Sequence, residues 1–457
     1  MLKRIPFLGI VCLLILQLLP CAAYSESASA SAANAPAVKS SSVVLMDRKS
    51  GKVLYEKNMR DRRHPASLTK ILTSLLILEN MDSNEAITVG DEIDALEKDS
   101  SKAGFKKGQK VTAHELVWAL MLPSGNDAAY TAAVHIARKK TGDASMSVKD
   151  AASYFTEMMN TRAKQIGAAD SHFANPDGYP NPDHYSTAYD MALISKEALK
   201  NSFFGEVAHT YTYVKDQSAK SQTVTPDKDT KNVWFNKNLL LNPKSNYFYQ
   251  YATGIKTGYT LKAGYCLAAS AAKDDLDLIS VLLNADSEET RCLESKALFE
   301  YGFSNYHYRT VLVKGNVVCN VNVVRKYFGD SANINLLADA DYTALLSDEE
   351  YAALEKSYLW DSKLVSPDKN KIAEVNFVGP ISRGQNMGKV RYTLNGAVLA
   401  EADLLASGDA LKGDFTDSVV KAYDKVQEMK FLLLGIVLFL ILLVAVFLVM
   451  KKRRQRE

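Results

Sequence analysis

The most informative stretch of the sequence is His64-Pro65-Ala66-Ser67-Leu68-Thr69-Lys70, which an apolar run at 71–78 follows. Pro65 restricts its own φ angle, and good helix formers continue for about ten residues, so the stretch predicts a helix that begins near Ser67. Residues three apart share one face of a helix, which places the Ser67 hydroxyl beside the Lys70 amine. A serine becomes a strong nucleophile when a base takes its proton, and lysine is such a base when burial, nearby cations or a helix dipole lower its pKa.

This spacing is not specific by itself. Ser-x-x-Lys occurs four times, beginning at Ser67, Ser270, Ser366 and Ser418. A helix cap or a surface pair explains any isolated copy equally well.

Two further motifs distinguish the copy at Ser67. Ser124-Gly125-Asn126 lies at a predicted turn between helices, and Lys256-Thr257-Gly258 lies in a predicted strand. Each of these two patterns occurs a second time: Ser-x-Asn at Ser331-Ala332-Asn333, and Lys-Thr-Gly at Lys140-Thr141-Gly142. Only one set combines a helix start, a turn between helices and a strand in that order, so these three motifs predict one reactive site.

Composition excludes several classes of function. The 457 residues are enough for two domains, and 47% of them are hydrophobic. A formal net charge of +3, without an aromatic-interleaved basic patch, argues against binding to nucleic acid. The cysteines and histidines have no metal-ligand spacing, so we expect neither a metal nor another cofactor.

The two ends of the chain predict export and a membrane anchor. Residues 1–23 have basic residues, an apolar core and small residues at the end, which is typical of a signal peptide, and the Ser/Ala-rich residues 24–38 predict a disordered lead-in. Residues 416–430 predict a juxtamembrane helix, and the uncharged residues 431–450 are long enough to span a membrane. The basic run at 451–454 then predicts that residues 451–457 form a cytoplasmic tail, with the body of the protein outside the cytoplasm.

Between the two ends, strands enclose a helical middle. A hairpin over 43–55 precedes helices predicted at 111–122, 127–140, 151–166 and 187–199, followed by strands at 254–260, 265–272 and 276–284 and a helix at 290–301. This order predicts an α+β domain over 39–305, with helices packed on an antiparallel sheet. Residues 306–415 predict a smaller β-rich domain, with a hairpin at Asn395-Gly396 and one short helix near 349–357.

The three motifs and their surroundings resemble the low-molecular-weight penicillin-binding proteins, which are serine-type D-Ala-D-Ala carboxypeptidases. The likeness is close over about residues 40–305 and looser to about 415. It implies a β-lactamase/transpeptidase-like domain. The blocks that carry the resemblance are 44–47, 65–70, 121–127, 184–188 and 254–260.

The resemblance also implies a role for each site residue. Ser67 would attack the peptide carbonyl between the two D-alanines, Lys70 would be the general base, and Ser124 would relay a proton to the leaving amine. Asn126 would hold the substrate amide, while Lys256 and Thr257 would meet the terminal carboxylate. The backbone N–H groups of Ser67 and Tyr259 would form the oxyanion hole, with Gly258 between Thr257 and Tyr259. Arg291 would lie near the carboxylate site, although a plain surface helix residue is equally consistent with the sequence.

The family likeness further implies peptidoglycan stem peptides as substrates and β-lactams as inhibitors. Three alternatives share these motifs: a β-lactamase, a β-lactam sensor or scaffold without turnover, and a D,D-endopeptidase. A β-lactamase needs an extra carboxylate, and Glu157-Met158-Met159-Asn160 is the obvious source, but this segment lies inside a helical pattern. His184 lies in a predicted loop, where a structural role is favoured over catalysis.

Overall fold

The computed structural model describes residues 35–215, 233–324, 331–365, 376–411 and 415–454. The predicted signal peptide, most of the predicted lead-in and the last three residues lie outside these ranges. The chain has an α+β N-terminal domain, a β-rich C-terminal domain and one apolar C-terminal helix.

The described residues form β-strands in both domains. They are β1 (Ser42–Asp47), β2 (Val53–Lys57), β3 (Ala86–Thr88), β4 (Lys110–Thr112), β5 (Thr212–Val214), β6 (Val233–Phe235), β7 (Ala252–Thr260), β8 (Gly264–Lys273), β9 (Leu276–Ala285), β10 (Tyr306–Leu312), β11 (Val317–Val324), β12 (Ser331–Ala338), β13 (Tyr342–Ser347), β14 (Glu355–Trp360), β15 (Asn376–Val378), β16 (Asn386–Leu394) and β17 (Ala397–Ala406).

The α-helices follow the same convention. They are α1 (Lys70–Asn80), α2 (Ala113–Met121), α3 (Asn126–Thr141), α4 (Val148–Ile166), α5 (Ala188–Ala198), α6 (Ser202–His209), α7 (Glu288–Asn305), α8 (Asp348–Ala352) and α9 (Phe415–Arg454).

An antiparallel sheet of order β2-β1-β9-β8-β7 organises the N-terminal domain. Every residue of β1 is buried, and successive side chains point to opposite faces. Val44 and Met46 pack with α1 and the other middle helices, whereas Val43 and Leu45 pack with Phe299 of α7. The sheet is therefore covered on both faces, and β7 forms its edge beside the predicted site.

Helix α1 passes through the centre of the helical layer, and eight of its residues are buried, Lys70 among them. A turn of 3₁₀-helix over Ala66–Thr69 precedes it, so the helical region begins at the predicted position. The helix predicted at 111–122 begins two residues later, because β4 occupies the start of that range. A capping box between Thr112 and Glu115 then opens α2.

The short helix predicted near 349–357 is present, but it is shorter than predicted. A capping box at Ser347 and Glu350 begins α8, but this helix ends at Ala352. The next residues form β14, which pairs with β16 and stacks Tyr358 on Trp360 with ring centres 4.7 Å apart. These partly buried rings pack against the core of the second sheet, which favours a strand here over a longer helix. Helix α6 was not predicted from the sequence.

The β-rich domain has a six-stranded sheet of order β14-β16-β17-β12-β11-β15 and a separate β10–β13 ribbon. This ribbon contacts the first domain, because the Tyr308 hydroxyl donates to Asp47 Oδ2 at 2.7 Å and Lys52 Nζ donates to Leu345 O at 2.9 Å. Helix α9 follows and contains the apolar segment Lys421–Met450, which is long enough to cross a membrane.

Candidate active site

Ser67 lies in a sharply bent turn that a buried histidine supports. Ala66 has a φ of +50°, and Thr69 Oγ1 donates to Ala66 O at 2.8 Å. His184 Nδ1 accepts from the Ala174 N–H at 3.1 Å, so the proton is on Nε2, which donates to Thr69 Oγ1 at 2.8 Å. Burial lowers the pKa of His184 to about 3, and the ring is neutral. His184 therefore stabilises the turn, in agreement with the structural role favoured from the sequence.

Lys70 is fully buried directly beside Ser67. Its Nζ donates to Ser67 Oγ at 2.9 Å and to the backbone oxygen of Asp177 at 2.7 Å. Burial, followed by repulsion from Lys237, lowers the pKa of Lys70 to about 8, while Asp177 and Asp127 oppose the shift. A lysine with this pKa is neutral in about a tenth of the molecules at pH 7, far more than an ordinary lysine, and this neutral form can act as a base.

Ser124 and Asn126 are buried at the start of α3. Ser124 has a φ of +67°, and the Gly125 N–H donates to Ala119 O at 2.8 Å, which closes the turn. The Asn126 side chain donates to Ser100 Oγ at 3.2 Å and also hydrogen-bonds the carboxyl group of Asp177. Asn126 is thus linked through Asp177 to Lys70, and Ser124 lies in the same turn.

Strand β7 passes close to the turn that carries Ser67. A Cβ at Gly258 would lie 2.9 Å from Pro65 O and 3.2 Å from the Ser67 nitrogen, so this approach requires glycine. Thr257 is nearly buried, while the Tyr259 side chain is half exposed.

Lys256 is a second buried cation on the same strand. Its Nζ donates to Thr257 O at 2.9 Å. Burial lowers its pKa well below the usual value, and repulsion from Lys70, Lys237 and Arg291 adds to this effect. Lys70, Lys237 and Arg291 therefore lie close enough to Lys256 to disfavour its charged form.

Arg291 lies behind β7 on helix α7 and is only 4% exposed, which rules out a plain surface helix residue. Its guanidinium donates to Gly258 O and to Cys266 O at 3.2 Å each, and it pairs with Glu288 at 2.5 Å. Arg291 thus contacts the carbonyl groups of the strands that form the site.

Glu157 is not part of this arrangement. It is exposed on α4, and Asn160 exchanges hydrogen bonds with the backbone of Phe173. Asp177, which the sequence placed only in a predicted loop, lies beside Lys70 instead. Its backbone oxygen accepts from Lys70 Nζ, and its carboxyl group hydrogen-bonds the Asn126 side chain. Among the described residues no group of three or more His, Cys, Asp or Glu side chains could hold a metal ion.

Comparison with known proteins gives consistent results over both domains. Residues 29–287 match the family model Peptidase_S11, D-alanyl-D-alanine carboxypeptidase, and residues 306–411 match the model of the penicillin-binding protein 5 C-terminal domain. The chain is 30% identical to the D-alanyl-D-alanine carboxypeptidase DacF of Bacillus subtilis, over 82% of this chain and 86% of DacF.

Solved structures show the same relationship. The D-alanyl-D-alanine carboxypeptidase DacD of Francisella tularensis matches with a TM-score of 0.59 and 26% identity, covering 82% of this chain and 94% of DacD. Penicillin binding protein 5 of Haemophilus influenzae matches with a TM-score of 0.56 and 28% identity, over 82% of this chain and 98% of that one.

Proposed function

This chain belongs to the D-alanyl-D-alanine carboxypeptidase family of serine peptidases, and we propose that its reaction proceeds through an acyl-enzyme on Ser67. The observation that carries the proposal is the 2.9 Å hydrogen bond between Lys70 Nζ and Ser67 Oγ, made by a lysine whose pKa is lowered to about 8. Neutral Lys70 takes the Ser67 proton as Oγ attacks the carbonyl between the two terminal D-alanines. Ser124 then relays a proton to the leaving amine of D-alanine.

The substrate is held by groups around Ser67. Asn126 binds the amide of the penultimate residue, while Lys256 and Thr257 bind the terminal carboxylate, with Arg291 adding positive potential from behind β7. The N–H groups of Ser67 and Tyr259 receive the oxyanion, an interaction worth about 3–4 kcal/mol in other acyl transferases. The close approach that Gly258 allows between β7 and the nucleophile turn supports this assignment.

Stem pentapeptides of peptidoglycan are the proposed substrates, and penicillin acylates the same serine because its strained amide occupies the position of the scissile bond. The apolar helix α9 anchors the protein, with the catalytic domain on the outer side of the membrane where peptidoglycan lies. The exposed apolar segment Lys421–Met450 and the basic residues after it support this orientation.

The test uses the full-length protein in detergent, incubated with a stem pentapeptide and separately with fluorescent penicillin. Ser67→Ala should abolish both D-alanine release and labelling, because no other group replaces the nucleophile. The matched control is Ser418→Ala, which removes the serine of another Ser-x-x-Lys copy on α9 and should leave both activities unchanged. D-alanine release by Ser67→Ala, or a penicilloyl group mapped to another residue, would refute the proposal.

A further inference from the structure

Asp177 has a buried carboxyl group in the wall of the site, and the steps proposed so far leave it without a role. Its side chain is 2% exposed, and its backbone oxygen accepts from Lys70 Nζ at 2.7 Å. Its Oδ1 accepts from the Tyr179 N–H at 3.1 Å, which fixes the orientation of the carboxyl group. The neighbouring Gly178 packs directly against Ala66 O, so the loop that carries Asp177 is pressed onto the nucleophile turn.

Polar and charged groups surround this carboxyl group. The Asn126 side chain hydrogen-bonds it, and Lys70 provides the nearby positive charge. Burial raises the pKa of Asp177 above its usual value, whereas Lys70 opposes this rise. A carboxylate with a raised pKa is a stronger base than one in water, and burying it without a role would only destabilise the fold.

Hydrolysis of an acyl-enzyme requires two proton transfers at the same centre. One group must accept a proton from the attacking water, and another must give a proton to Ser67 Oγ as it leaves. Since the pKa of Lys70 is about 8, most Lys70 is protonated at pH 7 once the leaving amine has departed. Lys70 hydrogen-bonds Ser67 Oγ and can give it a proton as it leaves. A different group must therefore accept the proton from the attacking water.

We propose that Asp177 is the general base for deacylation, a role that rests on the acyl-enzyme proposed above. The Asp177 carboxylate takes a proton from water while the water oxygen bonds to the ester carbonyl carbon. The bond between that carbon and Ser67 Oγ then breaks, and the Lys70 ammonium protonates Oγ. Lys70 is then neutral again, and Asp177 loses its proton to the solvent, which balances the proton that Lys70 took up before deacylation. This restores the starting enzyme and releases a carboxylic acid.

The same step hydrolyses a penicilloyl group on Ser67. Asp177 therefore supplies the extra carboxylate that the β-lactamase alternative requires, at a position far along the chain from Glu157. The lifetime of the penicillin adduct is then set by Asp177.

Asp177→Asn is the informative variant, because an amide oxygen still accepts from the Tyr179 N–H and the side chain keeps its shape. Glu157→Gln is the matched control, since it neutralises an exposed carboxylate on α4. The proteins are labelled with fluorescent penicillin at pH 9, where Lys70 is mostly neutral, and loss of the label is then followed at pH 7. D-alanine release from a stem pentapeptide is followed in parallel.

In Asp177→Asn we expect labelling within about threefold of the parent protein, because acylation does not use the carboxylate. Loss of the label and steady-state D-alanine release should both slow by about 100-fold or more, after a burst of one D-alanine per enzyme. In Asp177→Ala, added formate should accelerate loss of the label, because a small carboxylate can occupy the vacated space. A purely structural role for Asp177 would not produce this rescue.

Three results would overturn the proposal. Loss of the label at the parental rate in Asp177→Asn would show that another group activates the water. An equal slowing of labelling and loss would show that Asp177 only positions Lys70 or Asn126. If the parent protein releases D-alanine but Ser67 is never labelled, the acyl-enzyme itself is refuted, and with it the role of Asp177.

Discussion

The protonation state of Lys70 predicts how fast Ser67 is acylated at each pH. Only neutral Lys70 can take the serine proton, so acylation should rise as pH rises through the Lys70 pKa of about 8. From this pKa, the neutral fraction grows about 50-fold between pH 6 and pH 8. At pH 7 it is about 300-fold larger than for a lysine with an unperturbed pKa.

The assay is the second-order rate of labelling by fluorescent penicillin at low concentration, which reports the ionisation of the free enzyme. Lys237→Gln removes a cation that lowers the Lys70 pKa, so the midpoint should move to higher pH and labelling at pH 7 should slow. Labelling near pH 10 should change little. Lys244→Gln, an exposed lysine a few residues later in the chain, is the control and should leave the midpoint unchanged.

A labelling rate that stays constant from pH 6 to pH 9 would refute this reasoning, because the base would then not titrate in that range. A rate that falls as pH rises would show that the reactive form is the protonated one. An unchanged midpoint in Lys237→Gln would show that burial alone sets the Lys70 pKa.

Three further predictions concern stability and anchoring. Gly178→Ala should slow labelling at least tenfold and lower the free energy of unfolding by about 1–2 kcal/mol or more. The reason is that the new Cβ would lie 1.9 Å from Ala66 O, at a residue with a φ of +85°. A native melting temperature and labelling rate would contradict this prediction. Phe377→Ala should cost the β-rich domain about 3–5 kcal/mol by leaving a cavity in its core. Calorimetry should then show that the β-rich domain unfolds at a lower temperature, while Ser67 is still labelled normally. Loss of labelling would contradict this prediction. Removal of residues 415–457 should move the protein from the membrane to the soluble fraction without slowing the labelling of Ser67, as fractionation of labelled cells would show.

Much of the site could be predicted from sequence because its elements are local. The three-residue spacing of Ser67 and Lys70, the turn at Ser124 and the apolar run within α9 depend on residues close together in the chain. Helical periodicity, turn chemistry and hydropathy act over that range. The strands of the first sheet could be predicted for the same reason, because their apolar runs are long and bounded by turn residues.

Which distant residues contact Lys70 depends on the tertiary structure. Asp177 is 107 residues away from Lys70 along the chain, and its backbone oxygen accepts a hydrogen bond from Lys70 Nζ. Glu157, which the sequence offered as the extra carboxylate, is exposed instead. The burial of Arg291 behind β7 and the strand at 355–360 likewise depend on packing between segments far apart in sequence. The proposed nucleophile and its proposed base thus come from one short stretch of sequence. The pKa of Lys70 and its hydrogen-bond partners arise from burial in the folded protein, which a local pattern does not specify.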